Sequence, residues 1–196
     1  MQKENVFIAK IFKFFSLKTT ILAIVIFMLF MIFVLPAASS YSEEISGSTA
    51  SPDMSFFYSA DDIYDMAESY GVDGRKSYVF MRFTFDLVWP IVYLAFMLSV
   101  LVSLLEGISD KPKLKNLIYI PLLGAVFDYF ENVFAAITIA RFPLKTPVIA
   151  DLTPIFSLLK WIALGAGFVL ILIVIIYRIY KFIFKKLSEQ KSDYDI

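Results

Sequence analysis

Residues 116–140 read NLIYIPLLGAVFDYFENVFAAITIA, and this stretch decides the architecture. An apolar run of about 25 residues is long enough to cross the hydrocarbon core of a bilayer as one helix. Inside it stand Asp128, Glu131 and Asn132. At helical spacings of three and four these side chains share one face. A charge near the bilayer centre costs about 2.5–3.5 kcal/mol on insertion scales, so that face is expected to meet protein or water rather than lipid.

Working outward, other spans carry charge at a matching height. Residues 77–105 form a second apolar run, with Arg82 and Asp86 one turn apart and Pro90 one turn further on. The proline is expected to loosen the helix and free the Asp86 carbonyl. Residues 152–183 form another, holding Ser157, Lys160 and Gly167 on one face. The pair Ala163 and Gly167 permits close helix approach. Counted from the outer ends of their helices, Asp86 and Glu131 lie about 15 Å deep and Lys160 about 13 Å. Three helices thus place ionisable groups in one slab. Five separate lipid-facing charges would cost roughly 12–17 kcal/mol if the single-residue figures added, more than the net stability of most domains. Arg82, Asp86, Asp128, Glu131, Asn132 and Lys160 are therefore expected to converge. Three carboxyls meet two cations, and the extra carboxyl is assigned a proton, on Asp128 as the deepest.

The rest of the chain fits an all-α polytopic membrane protein with four transmembrane helices. Residues 1–19 are a basic, Phe-rich lead in which Ile8, Phe12 and Phe15 recur at helical spacing, as in an interfacial helix or a charged flank. Residues 20–38 form the first span, or else a signal-peptide core, since Ala37, Ala38, Ser39 and Ser40 resemble a small-residue cleavage site. Residues 39–76 are an outer polar loop that opens on a Ser-rich linker. Within it Ser59 and Asp62 make a helix-start signature, and Ile63, Met66, Ala67 and Tyr70 follow at amphipathic spacing. A short outer helix over 60–70 is expected, ended by Gly71. Its acidic face, Asp61, Asp62, Asp65 and Glu68, matches no calcium-loop spacing and reads as solvated. A loop at 106–115 and a second outer loop at 141–151 join the later spans, and 184–196 is a polar tail.

Orientation follows from the basic residues. Lys3, Lys10, Lys13, Lys18, Lys111, Lys113, Lys115, Arg178, Lys181, Lys185, Lys186 and Lys191 fall on one side, against Arg75, Lys76, Arg141 and Lys145 on the other. The positive-inside rule puts both termini in the cytoplasm.

Composition narrows the chemistry. The chain of 196 residues is 59% hydrophobic, has zero net charge and contains neither Cys nor His. That removes disulfides, thiolate metal sites and histidine acid–base work, and charge sign suggests no nucleic-acid partner. Neither a cofactor nor a metal is indicated. Four readings remain for the polar cluster. It is a network that fixes helix register, a site for a lipid-like or small amphiphilic ligand, a path for protons, or a pair of catalytic carboxylates. The expected function is that of a non-enzymatic ligand-binding or accessory subunit of the plasma membrane, with the bilayer and a partner subunit as its contacts. A lipid-active enzyme and a subunit of a proton-linked transporter are the alternatives. The site is expected among the second, third and fourth spans, with the first span packed outside it.

Overall fold

A computed structural model describes residues 6–46, 57–106 and 112–194. The linker stretch 47–56 and the loop 107–111 read above lie outside the described residues. Among the described residues the secondary structure is helical throughout, in the order α1 (Val6–Phe14), α2 (Leu17–Leu29), α3 (Leu35–Ser46), α4 (Ala60–Ser69), α5 (Gly71–Arg82), α6 (Phe85–Leu105), α7 (Pro112–Lys115), α8 (Tyr119–Arg141) and α9 (Pro147–Tyr194). Four helical stretches are long and apolar enough to cross a membrane: Leu17–Glu44, Gly71–Leu105, Asn116–Arg141 and Pro147–Leu187.

The first of these is longer than its apolar core. Ser16 caps α2 reciprocally with Thr19: the Thr19 N–H donates to Ser16 Oγ at 3.4 Å and the Ser16 N–H donates to Thr19 Oγ1 at 2.6 Å. At the other end Pro36 lacks an N–H, and its ring would meet the carbonyl one turn back. The ladder widens there into a single π turn, Phe30–Val34, and the helix then runs on to Ser46. Residues 39–46, expected as the start of a flexible linker, are thus helical. Nothing in Ala-Ala-Ser-Ser-Tyr-Ser-Glu-Glu forbids it once the proline has been absorbed.

The second stretch breaks where the sequence does not announce it. Gly71 takes φ 62°, a left-handed conformation that glycine adopts at no steric cost, and it both ends α4 and begins α5. Residues 71–76, expected as the end of the polar loop, are the first turns of that helix. The interruption comes at Phe83 and Thr84, not at Pro90, which sits inside α6. Thr84 Oγ1 donates at 2.8 Å to the Phe80 carbonyl, which also accepts from the Phe83 N–H at 3.2 Å. The Tyr129 hydroxyl donates to the Leu87 carbonyl at 2.9 Å on the other side of the break.

Packing defines two ends. At one, Ile8 of α1 is buried against Leu98, Val102 and Ile118, the Lys115 ammonium lies over the Phe12 ring, and Arg178 bonds the Glu106 carbonyl. The basic lead is therefore docked on the bundle by the Ile8 face. At the other end α4 buries Ile63, Ala67 and Tyr70 against Tyr78, Ala135 and Ile139, and the Thr146 N–H donates to the Tyr64 hydroxyl at 2.8 Å. Between these ends α8 and α9 run close. Gly124 faces Ala163 and Leu164, and Gly167 faces Met97 and Pro121, as small residues at a membrane helix interface do. The first span packs along the second, where Thr20 Oγ1 and Ser103 Oγ share a hydrogen bond of 2.9 Å. Among the described residues it makes no comparable contact with the fourth span.

The start of α4 gives a local test outside the spans. Asp62 accepts from the Ser59 hydroxyl and from the Ser59 N–H, both at 2.7 Å, and these two bonds hold its carboxyl below the usual carboxylate range. A depressed folded-state pKa stabilises above the unfolded value and loses that contribution as pH falls through the folded one. Hydrogen exchange should therefore show the first-turn α4 amides keeping the protection this cap gives at neutral pH and losing it only on the acid side of the ordinary carboxylate value of 3.8. Ser59→Ala should raise exchange in the first turn about fivefold at neutral pH, the effect of losing a cap worth ~1 kcal/mol.

Candidate functional site

Each charged side chain of the site is placed by a local feature of its helix. Arg82 is the last residue of α5 and Asp86 lies in the first turn of α6. The break between them thus sets a cation at a helix C-terminus and an acid at a helix N-terminus, each at the end its charge favours. The two side chains still meet, with Arg82 Nε 3.3 Å from Asp86 Oδ2. The guanidinium also lies over the Tyr78 ring, 4.4 Å from its centroid.

From Arg82 the contacts cross to α8. Arg82 Nη1 donates to Asn132 Oδ1 at 3.0 Å, and Asn132 Nδ2 donates to Asp128 Oδ1 at 3.1 Å. The second Asp128 oxygen accepts from the Tyr93 hydroxyl of α6 at 2.8 Å. From α9 the Lys160 ammonium stands 2.5 Å from Glu131 Oε2 and 3.8 Å from Asp128 Oδ1. Glu131 is wholly buried, and its other oxygen accepts from the Tyr58 hydroxyl at 3.4 Å, just ahead of α4. Arg82, Asp128, Asn132 and Lys160 are buried as well. Asp86, Arg82, Asn132, Asp128, Lys160 and Glu131 form one continuous chain of contacts across three spans. The structure brings together all six residues singled out by the sequence.

The cluster forms one wall of a cavity of about 550 Å³. Arg82, Asp86, Asp128, Asn132 and Lys160 line it, and Glu131 does not. Its remaining walls are mostly apolar: Phe85, Trp89 and Tyr93 from α6, and Trp161, Leu164, Gly165 and Phe168 from α9. The first span supplies the fourth wall with Phe27, Met31, Leu35 and Ala38, ending in Ser39, Ser42 and Glu43. This corrects the expectation that the first span packs outside the site. Because that span leans on the second and not on the fourth, a gap stays open between the first and fourth spans. Gly165 borders it, and a Cβ built there meets nothing within 4 Å.

Several participants escaped the sequence reading. Tyr58 lies in the outer loop, 73 residues from its partner, where no periodicity points to it. The polar end of the first span was legible: Ser39, Ser42 and Glu43 fall at helical spacing, but they were read as linker. Tyr93 was visible as a continuation of the Asp86 stripe, one turn beyond Pro90.

Comparison with family models, with curated proteins and with solved structures gives no match. Chemical inference about the site therefore starts from its own geometry. A cavity with apolar walls and a polar end can hold a molecule that is itself part apolar and part polar.

The Lys160–Glu131 pair gives the sharpest test of the cluster. Removing one partner of a buried pair strands a charge and costs about 3–5 kcal/mol, whereas removing both often costs little. Lys160→Met and Glu131→Gln should each lower the unfolding free energy by about that amount. The double variant should recover most of the loss. Unfolding by steric trapping in bicelles reads both quantities, and additive losses would show that the two groups do not interact.

Proposed function

We propose that this chain is a multi-pass protein of the plasma membrane, with both termini in the cytoplasm. In this reading it is a non-enzymatic binding protein for a lipid-like amphiphile. The observation that carries it is the cavity, which joins charged groups at one end to an aromatic and aliphatic chamber beside a gap between two spans. An amphiphile would place its head against Arg82, Asp86, Asp128, Asn132 and Lys160. Its apolar part would lie between Phe27, Leu164 and Phe168. Passage would be lateral, through the gap at Gly165, so the ligand need not leave the bilayer. The orientation is supported by the distribution of Lys and Arg over the two ends.

A lipid-active enzyme is the second reading, favoured by one contact. The Tyr93 hydroxyl and the Asp128 carboxylate, 2.8 Å apart on the cavity wall, are a proton donor and acceptor placed where a bound molecule would reach them. Lipid extracts whose composition changes on deletion of the gene would favour this reading over simple binding.

Two measurements test the proposal. Full-length protein in nanodiscs doped with a photoreactive diazirine lipid should crosslink at cavity residues. Gly165→Phe, which fills the gap without a steric clash at Cβ, should cut that crosslinking severalfold while the melting temperature stays unchanged. Crosslinking spread evenly over the lipid-facing surfaces would overturn the binding reading. For orientation, the absence of Cys makes single reporters clean. A membrane-impermeant maleimide should label Glu68→Cys on intact cells and Lys185→Cys only after permeabilisation.

A further inference from the structure

We propose that α1 is a docking surface for anionic phospholipids, whose phosphate groups meet Lys10, Lys13 and Lys18. The proposal uses the four spans and depends on neither the cavity nor the orientation. The faces of α1 are the first ground. Ile8, Ile11, Phe12 and Phe15 recur at helical spacing and turn toward the bundle, where Ile8 is buried against Leu98 and Val102. Lys10 and Lys13 stand on the opposite face, and both are exposed. Phe7 and Phe14, two turns apart, share a flank between these faces and are 48% and 69% exposed.

The second ground is height. The apolar run of α6 ends at Leu105, and Val102 and Leu98 lie one and two turns before that end, about 5–10 Å at 1.5 Å per residue. Phe7 reaches across to α8 and stacks on Tyr119, with centroids 6.2 Å apart. Amphipathic helices on membranes sink their apolar faces about 5–10 Å into the boundary between headgroups and acyl chains. The bundle therefore holds α1 at the level such helices occupy. A break at Phe15 and Ser16, where Ser16 caps α2, separates it from the first span.

The third ground is charge. Lys18 stands exposed in the first turn of α2, and the Lys115 ammonium lies 5.2 Å from the centroid of the Phe12 ring. Among the residues whose side chains are described, Glu106 is the one carboxylate on this end of the molecule. Each lysine near an anionic membrane strengthens its attraction about fivefold, an effect that fades within a Debye length of about 8 Å in physiological salt. An acidic protein would also suit the lysines. The membrane is favoured because Phe14 and Leu17, 69% and 73% exposed, stand among the same lysines, and acyl chains would cover them.

The full-length protein is reconstituted into phosphatidylcholine vesicles holding a trace of spin-labelled lipid, and the motionally restricted fraction of the label gives the relative affinity of each headgroup. Phosphatidylglycerol should associate about threefold more strongly than phosphatidylcholine at low salt, and the two should converge at about 1 M salt. Lys10→Gln, Lys13→Gln and Lys18→Gln combined should remove most of the preference, whereas Lys181→Gln with Lys186→Gln should keep it. Equal association of both lipids with the wild-type protein at low salt would overturn the surface. A preference that survives high salt would overturn its charge basis, and one undiminished in the triple variant would overturn the seat on α1. Glycerol phosphate in solution should not compete, and competition would make a soluble phosphate the ligand in place of a lipid. Placement is read separately, since the chain has no Cys. A nitroxide at Phe14→Cys should be relaxed more by oxygen, and one at Lys13→Cys more by an aqueous nickel chelate. Aqueous relaxation at both would overturn the membrane as the partner and point to an acidic protein. The wild-type lipid comparison and its salt dependence decide the main claim without any variant.

Discussion

Taking an ammonium and a carboxylate out of water costs several kcal/mol for each ion even after the protein relaxes, and Lys160 and Glu131 offset much of that cost by facing each other. The contact at 2.5 Å sets the height of α9 against α8, because a slide by one turn would carry Lys160 away from the buried Glu131. Asp128 and Asn132, on the same face of α8, then set where α6 and the end of α5 must stand. In lipid the apolar surfaces of helices have little preference for one another over acyl chains. Polar contacts therefore do much of the work of choosing partners, and here they form a single chain from Asp86 to Glu131.

The outer helix belongs to the same logic. Glu131 is wholly buried, and a carboxylate in that position needs more than one donor. Lys160 supplies one from α9, and Tyr58 supplies the other from the segment that leads into α4. The apolar face of α4, through Ile63 and Ala67, seats that segment on the outer end of α8. The segment before α4 thereby contributes a donor to the buried cluster.

How much of this was legible in the sequence depended on the range of the signal. Helical spacing of charges inside apolar runs is a local pattern, and it identified the six residues of the cluster and their common depth. The start of α4 was legible for the same reason, through Ser59 and Asp62. Breaks and continuations were not. Pro90 advertises a kink, yet the helix parts at Phe83 and Thr84, where the opening lets Arg82 and Asp86 sit at favourable helix ends. Pro36 advertises a stop, yet one π turn absorbs it and the helix continues. In both places the surroundings outweighed a local preference of a few kcal/mol. The partnership of Tyr58 with Glu131 and the wall supplied by the first span depend on packing between distant segments, which no spacing along the chain encodes.

The cavity itself follows from where the first span is held. Its inner part is tied to α6 by Thr20 and Ser103 and by the stack of Phe27 on Phe96, with centroids 4.2 Å apart. Its C-terminal part, α3, rests on α5. No contact of similar extent draws it toward α9. In water such a gap would close, because burying its apolar walls would be favourable at about 25 cal/mol per Å². In a bilayer that drive is absent, since acyl chains already cover those walls as well as a neighbouring helix would. Closure would gain only dispersion contacts that lipid supplies equally. A chamber bordered by Gly165 would therefore be stable in a bilayer without any strut to hold it apart. The ion pairs at its charged end join α5, α6, α8 and α9, and the first span forms a wall in front of them.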